Sequence, residues 1–229
     1  MENDRTIYPT CTGTSVAAVA YNGGVAIMTD RIISYGKMSR YRHISRQYRV
    51  NSRVVVAFGG DVADFQWLQN VIERQVCNLR ALDSSAEMSP RMLHGYLTSL
   101  LYYCRTRMNP VWNTLIVAGM QLEDGNLVPF IGVITPRGVA YHTKSVVTGL
   151  GAMLLNEAVE TESRKLGPSM TKDQTVQMLR KCLELSVYHD CVTDTEFEIS
   201  TVDQNGVTLG KPEVITGNWE IAEHNCDYE

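Results

Sequence analysis

The sequence predicts an α+β fold in which antiparallel sheets are covered by pairs of helices. Two features indicate this class: strand-like segments come in blocks joined by tight turns, and helix-like segments come in consecutive pairs. Tight turns join antiparallel strands, whereas parallel strands need a long crossover that is usually a helix. The order of the segments therefore argues against a parallel βαβ sheet.

The first block consists of strands. Alternating apolar residues lead to Asn22-Gly23-Gly24, and a second apolar run at 25–28 follows. This pattern predicts a hairpin whose turn uses glycine at positive φ. Two more strands are expected around 43–50 and 53–58, and we interpret Gly59-Gly60 after them as a turn that opens a helix.

A pair of helices comes next. Apolar residues recur at three- and four-residue steps over 62–79, directly after Asp61, which is a good N-cap. Ser89-Pro90 is an N-cap and first-position pair. The apolar stripe behind it predicts a second helix that ends before Asn109-Pro110.

The second half of the chain repeats this order. Strands are expected at 115–119, 127–134 and 139–142, and the turns between them predict an antiparallel meander. A second pair of helices is expected. The first spans 152–166, and the second begins with the capping box at Thr171. A last hairpin closes the pattern.

Composition excludes several classes of protein. The chain has 229 residues, a formal net charge of −4, 44% hydrophobic residues and 20% charged residues, so it can form a core of its own. No apolar run approaches the roughly 18 residues of a membrane helix, and the N-terminus shows no secretory or transit pattern. We expect no membrane association and a location in the cytoplasm and nucleus.

Cysteine and histidine are scattered along the chain. There are six cysteines and five histidines, and no CxxC pair. Their spacing fits neither a disulfide framework nor a zinc site. We therefore expect no metal and no cofactor.

Charge is distributed unevenly. Residues 31–60 hold seven basic residues and no acid, with three tyrosines among them, whereas the last ten residues hold four acids and no lysine or arginine. Basic residues interleaved with aromatic ones suit a nucleic-acid surface, but a pI of about 5.8 argues against one. Protein contacts or a buried charge network explain the stretch more simply. The basic residues are Arg31, Lys37, Arg40, Arg42, Arg46, Arg49 and Arg53.

The common catalytic motifs GxSxG, HExxH, P-loop and GxGxxG do not occur. A threonine that follows a glycine, Gly13-Thr14, opens the first strand, and Asp30 ends the second. The hairpin between these strands folds Asp30 back toward Thr14. By itself this pair means little, because most such residues at strand ends are caps or turn residues.

Several segments nevertheless resemble one known family. TGTSVAAVAYNGGVAIMTDRIISYG, GGDVADFQWL, VVTGLGA and YHD are similar to segments of the beta subunits of the proteasome core particle. The resemblance runs from about Cys11 to Ala222 and implies the four-layer αββα fold of the N-terminal nucleophile hydrolases. Further segments, SYGKMSRYRHISR, RMNPVWNTLIVAG, FEIST and NWEIA, resemble the seventh beta subunit, which is a non-catalytic member.

Active members of that family use an N-terminal threonine as nucleophile and its freed α-amino group as general base. The resemblance places Thr14 at the nucleophile position, after Gly13. Asp30 and Asp190 match the two catalytic aspartates, and Gly60 matches the glycine whose N–H serves the oxyanion hole.

Three other positions depart from the family pattern. The catalytic lysine falls at Arg46, which keeps the charge but cannot give up a proton. One serine becomes Leu150, which puts bulk beside the nucleophile, and another becomes Thr193. Since one general acid or base is typically worth about 10²–10⁴ in rate, we predict a degenerate site with no catalytic residue. Asp30 and Arg46 are then expected to form a buried ion pair, and Asp190 to hold the end of a helix.

The resemblance implies a non-catalytic structural and assembly subunit of the proteasome core beta ring. Its partners would be other alpha and beta subunits in a stacked four-ring core and, through that core, the regulatory particle. We divide the chain into an N-terminal extension or propeptide remnant (1–13), a beta-type domain (14–216) and a C-terminal interaction tail (217–229). The candidate anchors in the tail are Trp219, Ile221 and Tyr228.

Two alternatives stay open. An active threonine-type endopeptidase subunit would use Thr14 as nucleophile and would need cleavage between Gly13 and Thr14. A free-standing basic-patch domain would bind RNA through residues 31–53. We expect no nucleic-acid partner, because a pI of about 5.8 argues against binding to phosphate.

Overall fold

The computed structural model describes residues 8–220, apart from the side chain of Pro168. The helices in this range are α1 (Val62–Leu82), α2 (Pro90–Thr106), α3 (Gly151–Leu166) and α4 (Lys172–His189), and a short 3₁₀ turn spans Gly167–Ser169. The strands are β1 (Cys11–Gly13), β2 (Val16–Tyr21), β3 (Gly24–Asp30), β4 (Ile33–Tyr35), β5 (Met38–Tyr41), β6 (Gln47–Arg49), β7 (Val54–Asp61), β8 (Asn113–Glu123), β9 (Asn126–Ile134), β10 (Ala140–His142), β11 (Ser145–Val147), β12 (Glu196–Asp203), β13 (Gly206–Thr208) and β14 (Glu213–Val214).

The strands form two antiparallel sheets. The first has the order β10-β9-β8-β7-β1-β4-β5, with β6 also paired to β7. The second has the order β11-β2-β3-β12-β13, with β14 paired to β12. The prediction of antiparallel sheets is therefore confirmed.

Alternation along the central strands explains how the sheets are layered. In β7, Val54, Val56 and Phe58 pack with α1 and α2, whereas Val55 and Ala57 pack between the sheets. Successive side chains of a strand point to opposite faces. A strand that is apolar at every position is therefore buried on both sides.

The second sheet is covered in the same way. In β2, Val16 and Ala18 face the first sheet, whereas Ala17 and Val19 pack with α3 and α4. The layers are thus α1 and α2, the first sheet, the second sheet, and α3 and α4. This is the α+β, αββα sandwich that the resemblance implies.

The helices begin where local sequence predicts. The side chain of Asp61 accepts a hydrogen bond from the N–H of Asp64, and that of Ser89 accepts one from Met92. Thr171 and Gln174 form the expected capping box at the start of α4. Within residues 8–220, no helix has the length and apolar character that crossing a bilayer requires.

The turn predicted at Gly59-Gly60 is wrong. Both glycines lie inside β7, where Gly60 is opposite Asn113 of β8 and Gly13 of β1. The strand continues because it has a partner on each side. In a sequence, a pair of glycines indicates a turn, and it does not show that the segment has strand partners on both sides.

Strand β1 was not predicted. It inserts between β7 and β4, with Thr12 opposite Asp61 on one side and Cys11 opposite Tyr35 on the other. Its three residues are too few to show a period. The last residues of the segment that we assigned to an N-terminal extension therefore lie within the first sheet, and the division of the chain at residue 14 stays a prediction.

Candidate functional site: a threonine held by buried charges

The predicted site residues come from several elements that meet where the two sheets approach each other. Thr14 links β1 to β2, Asp30 ends β3, and Arg46 precedes β6. Gly60 lies in β7 and Asp190 follows α4. The remaining two predicted positions are Leu150, directly before α3, and Thr193, between α4 and β12.

Arg46 is the centre of this arrangement. Its side chain is fully buried, and its Nη1 donates to the carbonyl oxygens of Thr14 at 3.1 Å and Phe58 at 3.0 Å. Its Nη2 donates to the carbonyl oxygen of Ser15 at 2.8 Å, and its Nε donates to that of Asp30 at 3.2 Å. The guanidinium therefore binds the backbone at Thr14 and Ser15 and the backbone of both sheets.

The same Nη2 also forms a salt bridge to the carboxylate of Asp30. The two side chains are 0% and 1% exposed, respectively. Burial raises the pKa of the Asp30 carboxyl, and the Arg46 guanidinium opposes this shift. The predicted buried ion pair is present, and each charge depends on the other because neither contacts water.

Thr14 has a second set of contacts through its side chain. Its Oγ1 donates to Oδ2 of Asp190 at 2.7 Å, and Thr193 Oγ1 donates to the same oxygen at 3.0 Å. The N–H of Val192 donates to Oδ1 of Asp190 at 3.0 Å. Asp190 is the C-cap residue of α4, as expected, and it joins the end of that helix to Thr14.

Gly60 has a structural requirement of its own. Its φ is +104°, and a Cβ at this position would lie 2.1 Å from the carbonyl oxygen of Trp112. Both observations make any larger residue at this position costly. The glycine is therefore needed for the passage of β7 past Trp112, whether or not its N–H ever serves an oxyanion.

Leu150 is 43% exposed, in the turn before α3. The contact between this turn and the Thr14 segment is made by Ser15, whose Oγ accepts a hydrogen bond from the N–H of Gly151 at 2.8 Å. Sequence reasoning missed Ser15. The available signal was a hydroxyl directly after Thr14, which is a weak one.

A cleft of about 250 Å³ opens in front of Thr14. Gly13, Gly60, Trp112, Thr114 and Gly149 are among the residues that line it. Arg46 cannot act as a proton relay at this site, because a guanidinium stays protonated. In this geometry the buried cation next to Thr14 binds backbone and a carboxylate and supplies no proton transfer.

The basic stretch at 31–53 is not one free cationic surface. Besides Arg46, Arg31 lies 3.5 Å from Glu196 and 3.9 Å from Glu198, and Arg42 lies 3.8 Å from Asp194. Three of the seven basic residues therefore face carboxylates, as the interpretation of a charge network predicts.

No group of three or more His, Cys, Asp or Glu side chains that could hold a metal ion occurs among residues 8–220.

Of the three candidate tail anchors, Trp219 lies among the described residues 8–220 and its ring contacts Tyr188. Ile221 and Tyr228 lie outside the described residues.

Comparison with known proteins agrees with the fold. The model of the family "Proteasome subunit" matches residues 10–202, and the chain belongs to this family. Among curated relatives, it is 36% identical over 229 residues to "Proteasome subunit beta type-4" of Xenopus laevis, with 98% of this chain and 91% of the relative covered.

Relatives in other kingdoms give the same result. The chain is 29% identical over 225 residues to "Proteasome subunit beta type-4" of Arabidopsis thaliana, which covers 98% of this chain and 89% of the relative. It is also 29% identical over 229 residues to "Proteasome subunit beta type-7" of Saccharomyces cerevisiae, which covers 96% and 84%, respectively. The resemblance stated from the sequence is confirmed.

Proposed function

We propose that this chain is a non-catalytic structural and assembly subunit of the proteasome core beta ring. It supports protein degradation by the assembled particle and does not cut peptide bonds itself. Membership of the proteasome subunit family and similarity to beta type-4 subunits support the ring position. The degenerate site supports the absence of catalysis.

One observation carries this proposal: Arg46 is buried and its donors are directed at four carbonyl oxygens and one carboxylate. Such a side chain cannot exchange a proton with Thr14. The hydroxyl of Thr14 donates to the Asp190 carboxylate, which also accepts from Thr193 and holds the end of α4. While Thr14 stays joined to Gly13, its nitrogen is an amide that has no basic lone pair to offer.

The decisive measurement is the mature N-terminus of this chain in particles purified under native conditions. We expect an uncut chain, or a start between Thr6 and Thr12, and no labelling of Thr14 by a peptide that carries an electrophile selective for N-terminal threonine. Replacing Thr14→Ala should leave the peptidase activities of the particle unchanged. A start at Thr14 together with labelling would overturn the proposal.

The rival function, an active threonine endopeptidase, draws on the retained Thr14 and Gly60 and on the cleft in front of them. The same measurement decides between the two. An active subunit would start at Thr14, would be labelled, and would lose one peptidase activity in the Thr14→Ala particle.

The proposal includes the partners and the location that follow from such a role. The partners are the other alpha and beta subunits of the core and, through the core, the regulatory particle; the location is the cytoplasm and nucleus. Native size is the simplest test, because a subunit of the core co-purifies in a particle of many chains and a free-standing RNA-binding domain does not.

The proposal also keeps the division into an extension at 1–13, a domain at 14–216 and a tail at 217–229. Under this proposal, the tail contacts a subunit of the opposite ring through Trp219, Ile221 and Tyr228. Trp219 is 52% exposed, which suits an anchor that is buried only on assembly.

A further inference from the structure

The chain that leads into the C-terminal tail is attached to α4 and to the second sheet. Strand β14 pairs with β12, and the N–H of Ile215 donates to the carbonyl oxygen of Thr195 at 3.0 Å. Arg180 of α4 forms an ion pair with Glu213 of β14 at 2.6 Å. These contacts hold the chain as far as residue 215.

Tyr188, in the last turn of α4, holds the next residues. Its Oη accepts a hydrogen bond from the N–H of Asn218 at 2.6 Å and lies 3.4 Å from Oε1 of Glu184, to which it donates. Its ring meets the ring of Trp219 edge to face, with centroids 4.9 Å apart and an interplanar angle of 79°. Edge-to-face packing adds to the burial energy of an aromatic pair.

The backbone after this contact is also ordered locally. The side-chain oxygen of Asn218 accepts a hydrogen bond from the N–H of Glu220 at 3.0 Å, which is the geometry of an Asx turn. The indole of Trp219 is therefore in contact with Tyr188 while about half of the residue stays exposed. A half-exposed tryptophan in a defined orientation is suited to insertion into a partner.

We propose that Tyr188 is a positioning residue for the C-terminal tail: it holds residues 218–219 on the end of α4 and so presents the indole of Trp219 to a neighbouring subunit of the particle. This inference rests on the proposed function of the tail. Holding Trp219 before assembly reduces the conformational entropy lost when the two half-cores join. Arg180, on the same helix, holds the chain further upstream through its ion pair with Glu213.

The test measures the ratio of half-cores to full cores on native gels, in cells whose only copy of this chain is the variant. We expect Tyr188→Ala to raise this ratio about tenfold, since it removes a hydrogen bond and an aromatic pair. Tyr188→Phe keeps the ring and should give a smaller rise. Gln177→Ala, at an exposed position on the same helix, is the matched control and should leave the ratio unchanged.

A chain stopped at Gly217 separates this inference from the proposed function. If that truncation leaves the ratio normal, the assembly role of the tail is wrong. If the truncation raises the ratio but Tyr188→Ala and Tyr188→Phe with a complete tail do not, the role of Tyr188 is wrong.

Combining the two changes distinguishes positioning from general stability. In the truncated chain, Tyr188→Ala should raise the ratio no further, because the residue acts through the tail. A further rise of similar size would show that Tyr188 stabilises only its own helix and would overturn the inference. Should Tyr188→Ala fail to enter half-cores at all, Tyr188→Phe in the complete and truncated chains decides in the same way.

Discussion

Arg46 shows how an arginine and a lysine of the same charge would give a site different chemistry. A lysine at this position would carry one compact ammonium group, whereas the guanidinium carries five donors in a planar fork. Here the fork reaches the carbonyl oxygens of Thr14 and Ser15 and the carboxylate of Asp30. The buried cation therefore serves as a structural group, because a guanidinium does not release a proton at working pH.

We predict that Arg46→Met lowers the free energy of unfolding of the purified chain by about 3–5 kcal/mol, because it leaves the buried Asp30 carboxylate without its counter-charge. Arg46→Lys keeps the charge but loses several carbonyl contacts, so its loss should be smaller, about 1–3 kcal/mol. Urea unfolding measures both values.

Arg42→Met provides the comparison for this prediction. The side chain of Arg42 is 61% exposed and faces Asp194 at 3.8 Å, so its loss should be about 1 kcal/mol or less. Equal losses for Arg46→Met and Arg42→Met would contradict the structural role of the buried pair.

At the scale of the elements, the path of β7 depends on Gly60. This strand must pass Trp112 closely while pairing with both β1 and β8. The positive φ of Gly60 and the short distance to the Trp112 carbonyl are two separate reasons for glycine. A catalytic explanation is therefore not needed for its presence.

Gly60→Ala is expected to lower the free energy of unfolding by about 2–4 kcal/mol, because the new Cβ would overlap the Trp112 carbonyl at an unfavourable φ. Gly95→Ala is the matched substitution: Gly95 lies inside α2, and beyond the adjacent residues and backbone of its own helix no atom lies within 4 Å of the site of its Cβ. It should stabilise the chain by about 0.5–1 kcal/mol. Thermal unfolding of the two variants would show opposite shifts, and a stabilised Gly60→Ala chain would refute the argument.

At the scale of the whole molecule, the two sheets are joined by polar contacts as well as by the apolar layer between them. Gln47 of β6 belongs to the first sheet, and its Nε2 lies 3.1 Å from Thr29 Oγ1 and 3.1 Å from the carbonyl oxygen of Glu198, both in the second sheet. Arg46, next to it, binds carbonyl oxygens of Phe58 and Asp30 in the two sheets. On this side of the sandwich, directional hydrogen bonds therefore join the two sheets in addition to apolar packing.

Replacing Gln47→Met keeps the approximate volume but removes these donors. We expect a loss of about 1–3 kcal/mol in the free energy of unfolding, since buried acceptors lose their partner. Gln66→Met, at an exposed position of α1, should change stability by about 0.5 kcal/mol or less. Losses that are the same at both positions would show that the contacts between the sheets contribute nothing.

The helices and hairpins could be predicted because their signals are local. Asp61, Ser89 and Thr171 cap helices that begin directly after them, and Gly23, at a φ of +89°, lies in the predicted turn between β2 and β3. The short strands β1, β4 and β5 could not be predicted, because three or four residues carry no measurable period and their pairing depends on distant segments.

The sequence by itself determined the class of the fold, the boundaries of the helices and most of the residues that meet around Thr14; Ser15 was missed. Only the tertiary structure decided how those residues act. In the folded chain, the donors of Arg46 bind four backbone carbonyl oxygens. The hydroxyl of Thr14 donates to Asp190, and the tail is attached to Tyr188 through the N–H of Asn218. These contacts join residues as many as 176 positions apart, and such pairs are specified by the packing of the layers rather than by any local pattern.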